Sequence, residues 1–399
     1  MNGKKFRLPA LQEAALKVLK KITQAVGTFI RQTDRFLIIS CVLAAAYGFI
    51  LVYSATITAG GAFSDCLMQL VCIVLGLIIA LVISRLDYEV IASIWPVLAG
   101  VSVLLILLTF TPLGYSVPGT DDQNWLEIPL GAKTFLFQPS ELLKIVFIVT
   151  FSYHLSKVRE HIHRPLTVLL LCAHGLFPAV LVFAQGDDGS AAIFLCIFVG
   201  MMFAAGLKPV YLLTGFAGVL ALIPFLWSRL DQDKKERFLS IIFVDQYADV
   251  AWQQQTGLMA MGSGQLWGVG YMQGGGHRLY ARNNDFIFTV AGEEFGFIGA
   301  LLLIVLLVLI ILAIFRNAMT AKNRLGMFMC VGMMSLIGFQ SVINIGMTVR
   351  LLPVLGITLP FFSSGGSSVL TLFLGIGLVL SVHHFSHAGK RETIFMKRE

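Results

Sequence analysis

Residues 295–315 read FGFIGALLLIVLLVLIILAIF, a run without a single charged side chain. At about 1.5 Å per residue, a helix of this length matches the roughly 30 Å hydrocarbon core of a bilayer. It has no polar face to turn toward water, so it reads as a helix in lipid. The same reading extends outward in both directions. Apolar runs of spanning length occur at 36–57, 65–84, 90–111, 140–156, 166–184, 190–206, 210–228, 286–315, 325–349 and 366–386. Composition agrees. Of 399 residues 57% are hydrophobic and 13% charged, against about 25% charged in a soluble domain. That excludes a soluble enzyme, a secreted disulfide scaffold and a disordered chain. The expected fold class is an all-α polytopic membrane protein with about ten transmembrane helices and no internal repeat. Its organisation is a basic segment 1–35, a transmembrane domain 36–386 and a tail 387–399.

Orientation follows from Lys and Arg in the connections, which favour the cytoplasmic side. With the N-terminus inside, twenty of the 29 basic residues face the cytoplasm and 15 of the 22 acidic residues face outward. An even number of spans with both termini cytoplasmic explains both biases. The net charge of +7 is then largely a topology signal and does not point to nucleic acid. Residues 1–35 alternate Leu and Ala with Lys and Arg. They read either as a helix on an anionic inner leaflet or as a plain basic tail. They lack the pattern of a cleavable signal peptide, so the first span is expected to act as its own insertion signal. The six cysteines form no CxxC pair and read as apolar packers. His154, His161, His163, His383, His384 and His387 fall on the cytoplasmic side without metal-ligand spacing.

Two external segments are long, 112–139 and 229–285, the second lying between the seventh and eighth spans. Long ordered connections usually carry function. The second contains MGSGQLWGVGYMQGGG at 261–276, where glycine permits tight turns and close backbone approach. No strand precedes it and no Lys-Ser follows, which argues against a nucleotide site. Ionisable groups within spans are costly in hydrocarbon and hence informative. Glu141 and Lys144 are three residues apart at the start of the fourth span and share a helix face. They read as an ion pair that lowers a burial cost or as part of a site. Glu293 and Glu294 are adjacent and point to different faces, so a structural role for at least one is the simpler reading. Asp285, in NNDFIF, reads as a helix-starting acid or, in company with Arg278, Arg282, Lys144, Asp187 and Asp188, as part of a cavity for a phosphate-bearing substrate. Arg350 reads as one more charge of that cavity or, equally, as a snorkelling anchor.

Three segments carry a family resemblance: FQPSELLKI at 137–145, AMGSGQLWGVG through NNDFIFTVAGEEFGFIGA at 260–300, and NIGMTVRLLPVLGITLPFFSSGGSSVL at 344–370. Together with ten spans they resemble the SEDS family of polytopic cell-wall proteins, with its RodA, FtsW and SpoVE branches, over nearly the whole chain. The resemblance implies a peptidoglycan glycosyltransferase in the bacterial cytoplasmic membrane. Such an enzyme polymerises lipid II at the outer face for elongation, division or sporulation, beside a class B penicillin-binding protein. Asp285 matches the family's essential external Asp, Glu141 and Lys144 its charged pair, and Trp125 its external loop Trp. Asn124, where the family usually has Arg, and QGDDGS at 185–190 depart from its pattern.

The implied chemistry is inverting transfer: a sugar hydroxyl attacks an anomeric carbon whose leaving group is a polyprenyl diphosphate. It needs a base and positive charge for the leaving group. Asp285 is the candidate base. Glu141, Lys144, Trp125, Arg278, Arg282, Glu294 and Ser367 are the candidate substrate-binding or charge-stabilising residues. A divalent cation, Mg or Mn, held by Asp285 or Glu141, is the cofactor considered. The alternatives are a lipid II flippase, which needs polar groups continuing to the cytoplasmic side, and a non-catalytic scaffold that recruits a synthase.

Overall fold

In a membrane every backbone polar group of a span has to bond within the span, so each apolar run is driven to helix. The computed structural model describes residues 33–116, 123–130, 133–275, 279 and 282–396. The basic stretch 1–32 therefore lies outside the described residues, and so does Arg278. All ten predicted spans fall on helices: α1 Arg35–Thr58, α2 Phe63–Ile83, α3 Tyr88–Ser93 with α4 Trp95–Thr109, α5 Pro139–Val158, α6 Pro165–Phe183, α7 Asp188–Ala204, α8 Pro209–Arg229, α11 Ile287–Glu294 with α12 Gly296–Thr320, α13 Arg324–Thr348 and α14 Gly366–Met396. The 229–285 connection supplies α9 Gln232–Ile242 and α10 Ala248–Ser263. By length and composition, α1, α2, α6, α12, α13 and the Gly366–His387 part of α14 suffice to cross a membrane. Helices α4 and α7 are shorter but apolar. The chain is thus an all-helical polytopic membrane protein.

Three expectations are refined. First, segment 112–139 is not merely a loop. Gly114–Tyr115, Trp125–Leu130 and Lys133–Phe137 form a three-stranded antiparallel sheet in the order β1-β2-β3. Its register pairs Tyr115 with Trp125 and Leu126 with Phe137. Second, the third span is broken at Ile94, because Pro96 begins a new helix and cannot continue the old one. Third, the eighth span is broken at Phe295. Gly296 adopts φ +67°, a conformation that costs little only for glycine.

The glycine-rich segment explains that last break. Val269 and Gly270 donate backbone N–H groups to the Glu293 and Glu294 carbonyls, while Phe297 and Ile298 donate to those of Gln265 and Leu266. The 264–270 loop therefore bonds polar groups that the interrupted helix leaves open. A Cβ on Gly264 or Gly268 would strike the backbone of Gly292 or Glu294. Glycine here serves backbone-to-backbone packing rather than a phosphate.

At the opposite end Asp34 caps α1, accepting from the Phe36 and Leu37 N–H groups. It also accepts two bonds from Arg316, both at 2.9 Å, and one from Asn317. This ties α1 to the end of α12. Burial alone would raise its pKa, but the bonds from Asn317, Arg316 and the Leu37 N–H, with the Arg316 charge, together hold the carboxyl below the usual range.

Candidate functional site

Asp285 sits in the tight turn 282–286 just before α11. Its backbone is held from several sides. Asn344 of α13, completely buried, donates from Nδ2 to the Asp285 carbonyl at 3.0 Å and to that of Ile357 at 2.6 Å. The Ser363 hydroxyl donates to the Asn284 carbonyl at 2.7 Å, and the Ser364 N–H to that of Asn283 at 2.8 Å. Before the turn, Arg282 donates to Glu293 at 2.6 Å, to Glu294 at 3.3 Å and to Thr58 at 3.1 Å. The aspartate is thus carried on a segment fixed to α1, α11, α13 and the loop before α14. Its side chain is left unclaimed: among the described residues no donor or cation reaches the carboxylate. Burial without a compensating partner pushes its pKa up to about 6.

The carboxylate opens into a cavity of about 360 Å³. One wall is Asn124, Trp125 and Gln138, from β2 and the approach to α5. A second is Asp187 and Asp188 at the start of α7. A third is Lys234, Arg237 and Phe238 of α9. The floor is Gly356 with the Ser364–Ser368 turn. Asp187 is a helix cap, accepting from the Ser190 N–H and from Gln138. Asp188 pairs with Lys234 at 2.7 Å. No described carboxylate lies within ion-pair range of Arg237.

The structure therefore brings Asp285, Trp125 and Ser367 together. It places other candidates elsewhere. Glu141 and Lys144 pair at 2.7 Å, with Lys144 only 2% exposed. Glu141 borders a separate cavity of about 20 Å³, whose Thr358 and Ser368 also line the large one. Such a space holds about one water. Arg282 is committed to Glu293 and Glu294 behind the Asp285 turn. Glu294 accepts also from the Ser54 hydroxyl at 2.6 Å and from the Met272 N–H. Arg350 donates to the Ile241 carbonyl and is not part of the cavity wall. Lys234 and Arg237, not singled out from sequence, are the cations that line this cavity among the described residues. Their signal was present: three apart on one short helix, they share a face.

A metal fits this donor set poorly. Among the described residues no three His, Cys, Asp or Glu side chains converge, and Asp285 and Glu141 line different cavities. No step is assigned to a metal below.

The model of the FtsW/RodA/SpoVE family, described as cell cycle proteins, matches residues 34–388. This chain belongs to that family. Among curated relatives, a probable peptidoglycan glycosyltransferase FtsW of a Geobacter species is 31% identical over 366 residues, 88% of this chain and 96% of its own. Stage V sporulation protein E of Bacillus subtilis is 29% identical over 371 residues, 88% of this chain and 97% of its own. Of solved structures, a chain from a peptidoglycan synthase complex, described as coordinating polymerization and crosslinking, superposes with a TM-score of 0.75. It is 27% identical and covers 89% of this chain and 99% of its own. Rod shape determining protein RodA of Thermus thermophilus follows at a TM-score of 0.65, 28% identical, over 88% of this chain and 96% of its own. The family match at 34–388 spans every residue that lines the Asp285 cavity, and family membership places the chain in the bacterial cytoplasmic membrane as a multi-pass protein.

Proposed function

We propose that this chain is a peptidoglycan glycosyltransferase that polymerises lipid II at the outer face of the cytoplasmic membrane, with Asp285 as general base. The observation that carries the reading is the unpartnered Asp285 carboxylate facing a cavity that also holds Lys234 and Arg237. The carboxylate takes the proton from the acceptor sugar hydroxyl as its oxygen bonds to the anomeric carbon. The bond from that carbon to the diphosphate breaks, and its electron pair leaves with the diphosphate oxygen. Arg237 and Lys234, which line the cavity where Lys144 and Arg282 do not, offer positive charge to that leaving group, Lys234 while it is shared with Asp188. Names among the relatives support this activity. The synthase-complex neighbour supports a cell-wall synthase as partner, which we take to be a class B penicillin-binding protein. The test is polymerisation of labelled lipid II by the protein purified with that partner.

The rate should depend on pH in a definite direction. A base acts only when deprotonated. With its pKa lifted to about 6, Asp285 is mostly ionised at pH 7, and polymerisation should fall about tenfold per unit below pH 6. A profile flat down to pH 5 would remove it as the base. The flippase alternative expects polar groups running through the bundle, whereas the residues lining this cavity belong to the end that carries the long connections.

That end should face outward. A lone Cys at the exposed Ser228, in a background without the six native thiols, should react with a membrane-impermeant maleimide on wall-stripped intact cells. A Cys at the exposed Thr320 should react only after lysis. The reverse pattern would put Asp285 in the cytoplasm and end the polymerase reading.

A further inference from the structure

We infer that the N-terminus of α14, with the Ser367 hydroxyl, is the seat of the substrate's diphosphate; this rests on the polymerase reading and names where its leaving group lies. The first intrahelical bond of α14 runs from the Val369 N–H to the Gly365 carbonyl at 3.0 Å. The N–H groups of Gly366, Ser367 and Ser368 precede it and, as at the start of any helix, have no intrahelical acceptor. They concentrate the positive end of a 31-residue helix. A helix start alone would not make a site. Here Gly365, Ser367 and Ser368 line the Asp285 cavity, and Ser367 is only 1% exposed. Its hydroxyl has no partner among the described residues, while the neighbouring Ser363 and Ser368 hydroxyls are both bonded. Ser367 lines the cavity, and an anion there would give its hydroxyl an acceptor.

The turn is also held rigidly. Gln69 of α2, 3% exposed, donates to the Ser363 carbonyl and accepts from the Gly365 N–H, both at 3.2 Å. A Cβ on Gly366 would come within 2.6 Å of the Phe135 ring. The same turn is bonded to the base-bearing segment through Ser363 to Asn284 and Ser364 to Asn283. The segments that carry base and anion seat are thus joined by hydrogen bonds. Arg237 and Lys234 line the cavity as well, so a diphosphate held by the backbone amides meets charge from a second element.

The test is binding of undecaprenyl diphosphate to the full-length protein in nanodiscs, in an Asp285→Asn background that needs no turnover. Ser367→Ala should weaken binding about tenfold, the loss of one hydrogen bond to a charged group. Ser367→Asp should abolish it while the melting temperature holds or rises, because a carboxylate in the first turn suits the dipole. Inorganic pyrophosphate should compete, and with the same dependence on Ser367. Undecaprenol, without phosphate, should bind all variants alike. Unchanged diphosphate binding in both variants would overturn the inference, as would an equal loss for undecaprenol, which would mark a packing defect. Serine-dependent binding by a protein that never polymerises lipid II would leave the seat standing and sink the polymerase reading instead.

Discussion

Asp285→Asn should lower lipid II polymerisation by about 10²–10⁴-fold, the usual worth of a positioned base, while leaving the fold intact or firmer. The two effects have one cause. The folded protein holds the Asp285 proton more tightly than the unfolded chain, since its pKa is raised to about 6. Between the ordinary carboxylate value and pH 6 the native state therefore binds more protons than the unfolded state. Stability declines as pH rises through that window. At pH 7 the ionised side chain is a burden on the fold, and asparagine removes it. Loss of activity with an unchanged or higher melting temperature, and with the partner still co-purifying, is the expected outcome. Near wild-type polymerisation would end the assignment. A lowered melting temperature would mean that the carboxylate has a partner in the protein.

Glu141→Gln and Lys144→Met should each cost about 3–5 kcal/mol of stability, because either leaves the opposite charge buried alone. Lys144 is 2% exposed and Glu141 11%, and among the described residues neither has another ion-pair partner. The double variant should regain most of that stability, since a neutral pair of similar volume needs no compensation. Polymerisation should stay low in it, because Glu141 borders the small cavity that shares Thr358 and Ser368 with the Asp285 site. Thermal unfolding and lipid II turnover, measured on the same three preparations, separate the two contributions. Recovery of both would make the pair purely structural.

Positions of the helices were legible because their cause is local. A run such as 295–315 has one way to satisfy its backbone in lipid, and Pro139, Pro165 and Pro209 mark the starts of α5, α6 and α8. The sheet at 114–137 was less legible, as its strands are short and Pro129 interrupts the pattern within β2. The role of the glycine-rich segment was hidden for another reason. Gly264 and Gly268 answer to the backbone at 292–295, and nothing in 261–276 itself reveals that neighbour.

The site divides in the same way. The sequence by itself determined that this is a polytopic helical membrane protein and that Asp285 stands at a span boundary, because helix formation and burial in lipid depend on a window of about 20 residues. Only the tertiary structure decided which cations line the cavity with Asp285. Arg282 is three residues away in the chain, yet its guanidinium is turned to Glu293 and Glu294. Lys234 and Arg237, some fifty residues upstream, line the cavity with it, and the Lys234–Asp188 pair ties α9 to the start of α7. Charges act through space, and the distances that matter are set by which helices pack together, a relation that no local window of the chain contains.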